Sequence, residues 1–103
     1  MDRVLELLGL ALRAGKLAWG SRAAKAGLRR KKVYLILIAE DASSRLKTEF
    51  RLLCFKLGVP LVIWGTKEMI GLALGKPPCS VAGVQDEGLA ELIRLAAGEV
   101  GRP

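Results

Sequence analysis

The sequence predicts an α/β fold, a three-layer α/β/α sandwich around a small, mixed and mainly buried sheet. Three observations predict it. Val33 to Ala39, Val-Tyr-Leu-Ile-Leu-Ile-Ala, is continuously apolar, as a strand covered on both faces has to be. Residues 43–57 then carry apolar positions at helical spacing and Leu61-Val62-Ile63-Trp64 is a second buried run, so strand, helix and strand form a βαβ unit with parallel strands. Helical and strand patterns alternate outside this unit as well, giving the order αβαβαβαβα. The chain's 103 residues, 51% of them hydrophobic, suit one domain with one core.

The elements follow in order. Asp2 caps a helix with Val4, Leu7, Leu8, Ala11 and Leu12 at three- and four-residue intervals, and Gly15 ends it. Lys16 to Trp19 has room only for a brief edge strand. The next helix opens at Gly20-Ser21 with Ser21 as N-cap. Its apolar face is Ala23, Ala24, Gly27 and Leu28, and Arg22, Lys25 and Arg29 line another. Gly27 costs about 1 kcal/mol of helix propensity relative to Ala, which points to close packing against the sheet.

After the central strand, Asp41 or Ser43 caps a helix with Leu46, Phe50, Leu53, Cys54 and Leu57 inward, stopped by Gly58 and Pro60. Thr66 caps a short helix through Leu74, with Gly75 at its end. Lys76-Pro77-Pro78-Cys79 is an irregular loop, Ser80 to Gln85 a last strand, and Asp86 caps a helix with Leu89, Leu92, Ile93 and Ala96 inward. The tail from Gly98 to Pro103 is expected to fray.

Composition narrows the function. Apolar runs fall far short of the roughly twenty residues of a membrane span, and Met1-Asp2-Arg3 leads into a helix pattern rather than a secretory signal, so the expected location is cytoplasmic. There is no histidine, and the two cysteines stand far apart, which argues against zinc. Cys54 reads as an inert core thiol. No glycine-rich phosphate loop is present, and Glu40-Asp41 is the one carboxylate pair at a strand end, explained by helix capping. Neither a metal, a cofactor nor a small-molecule substrate is expected.

The net charge of +7 is unevenly placed: residues 1–32 hold nine Lys/Arg against two acids, and residues 33–103 hold eight against eight. A neutral body with one basic end suits a polyanion partner, and an acidic protein partner is the alternative. In an α/β sheet, ligands gather at strand carboxyl ends and helix amino ends. Here that edge carries Gly20-Ser21-Arg22 and Ala39-Glu40-Asp41, with the Pro77-Pro78 loop a candidate neighbour.

From Gly20 to Val84, about two thirds of the chain, these residues carry a resemblance. A Gly-led helix is followed by Val33 to Ala39 with Glu40-Asp41, then Leu53-Cys54, Val59-Pro60, Thr66-Lys67-Glu68, Gly71 and Gly75-Lys76. In that order and spacing the chain resembles the ribosomal protein L7Ae/L30e superfamily of kink-turn RNA binders, most of all its small bacterial YlxQ-type members.

The resemblance implies a monomeric α/β/α domain that catalyses no reaction and binds a kink-turn, a bent RNA internal loop with tandem sheared G·A pairs, with ribosomal RNA among the candidates. It implies that the helix starting at Gly20 reads the guanines, that the loop from Pro77 to Val81 closes over an extruded base, and that Glu40-Asp41 forms a third contacting turn. The implied RNA-binding set is Gly20, Ser21, Arg22, Lys25 and Arg29, then Glu40 and Asp41, then Lys76, Pro77, Pro78, Cys79, Ser80 and Val81. The family usually has Asn or Glu two or three residues after the Gly and Lys six after it; here those positions are Arg22, Ala23 and Ala26. Arg22 can pair bidentately with a guanine edge, while Ala23 offers no acceptor to a guanine amino group.

Overall fold

The structure, a computed structural model, describes residues 2–99. The helices are α1 (Arg3–Arg13), α2 (Ser21–Arg29), α3 (Ser44–Leu57), α4 (Lys67–Leu74) and α5 (Glu87–Arg94), alternating with β1 (Leu17–Trp19), β2 (Leu35–Ile38), β3 (Leu61–Ile63) and β4 (Val81–Val84). The expected alternation is therefore present. The strands form one mixed sheet in the order β1-β4-β2-β3. β2 and β3 run parallel with Ile36 opposite Leu61 and Ile38 opposite Ile63, while β4 lies antiparallel to both β1 and β2.

β2 is the centre because all four of its residues, Leu35 to Ile38, are fully buried, with helices over both faces. Packing groups α2 with α3 and groups α1 with α4 and α5. Phe50 from α3 and Leu8 from α1 are among the largest fully buried side chains. Where α2 comes down on the sheet, a Cβ on Gly27 would stand 2.7 Å from Val33 Cγ2, so the close approach expected there exists. Capping is local: Asp2, Ser43, Thr66 and Asp86 each accept a backbone N–H of their own helix.

The structure corrects several expectations. The N-cap of α2 is Gly20, not Ser21, and no side chain bonds to that helix end. Ala23 is exposed rather than inward, because α2 turns only Ala24, Gly27 and Leu28 to the sheet. Of the two expected caps of α3, Ser43 is the one that serves, and the Asp41 carboxylate crosses to α4, accepting the Lys67 N–H at 2.9 Å. β3 is an edge strand with Leu61 and Ile63 only half-buried, since nothing pairs beyond it. Leu57 and Leu92 sit near solvent, at 37% and 45% exposure, because they fall at the margins of their helices' buried stripes. Leu95–Glu99 follows α5 with a kink at Gly98, whose φ of 96° is not helical, and the remainder of the tail lies outside the described residues.

Cys54 is buried at 3% exposure, and burial pushes its thiol up to about 11. A folded-state value above the unfolded one, about 8.5, means that the stabilisation is complete below the unfolded value and is lost as pH rises through about 11. Iodoacetamide at neutral pH should label Cys54 only in denaturant. Labelling of the folded chain at the unfolded rate would contradict this.

Candidate nucleic-acid interface

The antiparallel placement of β4 brings one end of the sheet together. The carboxyl ends of β1, β2 and β3 meet the amino end of β4 there: Gly20 N–H donates to Val81 O at 2.9 Å, Ala39 N–H to Ser80 O at 2.9 Å, and Glu40 N–H to Gly65 O at 2.7 Å. Four turns far apart in sequence thus sit side by side. The sequence placed Gly20 and Glu40-Asp41 on this edge with the Pro77-Pro78 loop as a candidate neighbour; the fold brings that loop there and adds Gly65.

Gly20 takes φ 90° and ψ 155°, a backbone region open in practice to glycine alone, with nothing within 4 Å of where a Cβ would stand. The amino end of α2 is therefore bare backbone facing open space, its first N–H groups uncapped by any side chain. Beside it lies a cleft of about 280 Å³ lined by Trp19, Gly20, Ser21, Leu46, Pro77, Pro78, Cys79 and Ser80. Its walls are apolar rings and backbone, the surface on which an unstacked base packs.

The predicted site residues divide by what they touch. Ser21, Arg22, Arg29, Glu40, Asp41, Pro77 and Pro78 are exposed. Among the described residues no carboxylate pairs with Arg22 or Arg29, so both guanidinium groups face solvent without an acidic partner. Lys25 differs: its Nζ lies 3.3 Å from Glu49 Oε1 on α3, a carboxylate that also faces Arg45 at 4.0 Å, and 5.8 Å from the centre of the Phe50 ring, so it helps to tie α2 to α3. The Glu40 carbonyl is held by Lys47 Nζ at 2.6 Å, which together with Asp41 on the Lys67 N–H fixes the third turn.

The loop implied to close over an extruded base, Pro77 to Val81, presents only some of its side chains outward. Cys79 and Val81 turn their side chains into the core, at 6% and 0% exposure, and the Cys79 Sγ donates to Val81 O at 3.2 Å. They anchor the loop from below, because β4 begins there and Val81 already belongs to the sheet. The proline rings remain as its outer surface. Ser80 is half-buried, and Lys76 reaches back so that its Nζ stands 4.6 Å from the centre of the Trp19 ring.

Trp19, 42% exposed, is one residue of this edge that sequence reasoning missed. Its signal was a lone large aromatic immediately before Gly20, at the end of a strand too short to bury it. Leu46 and Gly65 were missed for a different reason: they reach this edge only through the fold. Among the described residues, no group of three or more His, Cys, Asp or Glu is placed to hold a metal ion, and no helix is long and apolar enough to cross a membrane.

With this geometry in hand, the profile of the Ribosomal protein L7Ae/L30e/S12e/Gadd45 family matches residues 2–93. The chain belongs to this family. Among its relatives, the RNA-binding protein YlxQ of Enterococcus faecium is 33% identical over 90 residues, covering 87% of this chain and 86% of that protein. The RNA-binding protein YlxQ of Bacillus subtilis (strain 168) is 34% identical over 90 residues, covering 86% and 90%. The same architecture occurs in a protein of unknown function from Bacillus halodurans, with TM-score 0.92, 29% identity and coverage of 96% of this chain and 100% of that one. It also occurs in a Giardia lamblia 15.5kD RNA binding protein, with TM-score 0.78, 27% identity and coverage of 94% and 83%. As a family member of this shape, the chain carries its Gly-led helix, its acidic turn and its proline loop on one sheet edge.

Proposed function

We propose that this chain is a cytoplasmic, monomeric RNA-binding domain that recognises a kink-turn or a closely related bent RNA and performs no reaction. One observation carries the reading: the bare amino end of α2 at Gly20, the Trp19–Pro77–Pro78 cleft and the Glu40-Asp41 turn lie on a single edge, with unpaired Arg22 and Arg29 leading away from it. A backbone amide cluster donates to phosphate or to acceptors on base edges, the cleft has room for an unstacked base, and the arginines supply attraction. The YlxQ relatives and the Giardia protein, both described as RNA-binding, support it.

In this reading, the guanine readout falls to Arg22, two residues beyond the Gly20 cap. Arg22→Ala should cost about 1–3 kcal/mol on a kink-turn RNA and much less on the same RNA with its G·A pairs replaced by Watson-Crick pairs. Competition binding with the two RNAs measures the difference. Equal affinity of the unmutated chain for both would remove the kink-turn assignment and leave a general RNA-binding surface.

Attraction is read separately. Arg29, at the last residue of α2, is a phosphate contact here, so Arg29→Ala should flatten the slope of log affinity against log salt by about one and weaken both RNAs alike. Affinity independent of salt would favour the acidic protein partner. Lys25→Ala should change that slope less than Arg29→Ala does, because Glu49, which also faces Arg45 at 4.0 Å, offsets part of the Lys25 charge.

A further inference from the structure

The end of the sheet opposite Gly20 carries a second group of residues with the chemistry of nucleic-acid recognition. Lys16, Lys32, Tyr34 and Gln85 line a cleft of about 300 Å³ there. The fold places them together: Gln85 N–H donates to Lys16 O at 2.8 Å, Lys32 N–H to Gly27 O at 2.9 Å, and Tyr34 N–H to Val84 O at 2.8 Å. The run Arg29-Arg30-Lys31-Lys32, all four residues exposed, leads into it, with Lys32 in its lining. Lys31 takes φ 59°, a left-handed turn that a lysine adopts only where neighbours hold it, and this turn ends α2 and brings the chain round to Lys32. Tyr34 stands 43% exposed at the foot of β2, an aromatic ring left uncovered where every residue from Leu35 to Ala39 is buried.

The charge at this end is not neutralised from within. Among the described residues neither Lys16 nor Lys32 has an ion-pair partner. The neighbouring Asp86 is committed to α5, where its Oδ2 accepts the Leu89 N–H at 2.8 Å. Tyr34 also borders a cleft of about 680 Å³ with Glu87, Glu91 and Arg94, but that side carries carboxylates and repels phosphate. An incoming anionic strand is thus directed to the Lys16 and Lys32 side.

We infer that this cleft is a second RNA contact, which takes an unpaired nucleotide of a single strand flanking the structured element, its base stacked on Tyr34 and its phosphates held by Lys16 and Lys32. The Gln85 amide offers a donor and an acceptor to the base edge. Stacking on an exposed aromatic beside cations is how single strands are held without strict sequence preference, and α2 with its arginines joins the two ends of the molecule along one path. The inference rests on the RNA-binding reading of the Gly20 edge for its biological setting, but its chemistry is local to the opposite end.

The test uses the full chain and three RNAs: a minimal kink-turn, the same kink-turn with a single-stranded uridine tail of about ten nucleotides on either end, and the tail alone. The tail should strengthen binding about tenfold. Tyr34→Ala should abolish that gain and leave the minimal kink-turn unchanged; Tyr34→Phe should keep it; Lys16→Ala with Lys32→Ala should lower the salt slope on the tailed RNA by about two relative to the minimal one. A photoreactive thiouridine in the tail should crosslink within residues 32–34. Equal binding of tailed and minimal RNA by the unmutated chain, or crosslinks confined to Trp19, overturns the inference. Because the tail alone is also measured and crosslinked, failure of the kink-turn reading appears as loss of the minimal-RNA signal and stays separate from failure here.

Discussion

Gly71→Ala is expected to cost the fold about 3 kcal/mol and to displace the loop that borders the candidate site. Gly71 is buried on α4 against the back of the Lys76-Pro77 segment, and a Cβ there would stand 2.4 Å from Pro77 O, 2.8 Å from Pro77 C and 2.9 Å from Lys76 O. All three are backbone atoms, so no side chain can rotate away and the loop itself has to move. Pro77 cannot yield locally, because its ring fixes φ and Cys79 N–H is tied to Lys67 O at 3.0 Å on the other side. Denaturant unfolding measures the stability loss, and binding to a kink-turn RNA should weaken in parallel as Pro77 and Pro78 leave the cleft wall. An unchanged unfolding midpoint would mean that the loop moves freely and does not shape the cleft.

Gly20→Val should separate stability from recognition. Strain from a branched residue at φ 90° and ψ 155° costs about 1–3 kcal/mol, although the space around the new side chain is empty. That space is where the RNA backbone or a base edge is proposed to lie, so affinity should fall by about tenfold or more in a chain that remains folded. Gly58→Val is the control: Gly58 has φ 69° and equally open surroundings at the end of α3, away from the cleft. It should destabilise without touching RNA affinity. If both variants bind as the unmutated chain does, the RNA does not approach the backbone at Gly20.

Much of this molecule was legible from residue patterns, and particular elements show why. The run through Leu35–Ile38 had to be a covered strand because no solvent-facing position interrupts it, and the caps Asp2, Thr66 and Asp86 announce helices through bonds that span three residues or fewer. Such features are local, and local chemistry decides them. The charge excess before residue 33 was equally plain, and so were Gly20, Arg22 and the proline loop as members of one family's contact set.

What the pattern misjudged was wherever a residue's role depends on a distant neighbour. Asp41 reads as a candidate cap, beside Ser43, of the helix that follows it; Ser43 serves as that cap, and the Asp41 carboxylate accepts the Lys67 N–H twenty-six positions away. Lys25 reads as one of three equal cations, and only the packing of α2 on α3 brings Glu49 to it. Cys79 reads as part of an irregular loop, and Val81, although in the last strand, as part of the implied cover over a base, but both side chains pack into the core.

The sequence by itself determined the order of elements, their caps, the position of the central strand and the basic amino-terminal third, because hydrophobic periodicity and capping act within a few residues. Only the tertiary structure decided which residues share an edge. Inserting β4 antiparallel between β1 and β2 sets Trp19, Gly20 and Pro77–Ser80 around one cleft at one end of the sheet and Lys16, Lys32, Tyr34 and Gln85 around another at the opposite end. Pairing between strands so far apart in sequence, Ile38 with Val81 and Leu17 with Val84, is fixed by burial of the whole core, a sum over many side chains that no short window of sequence contains.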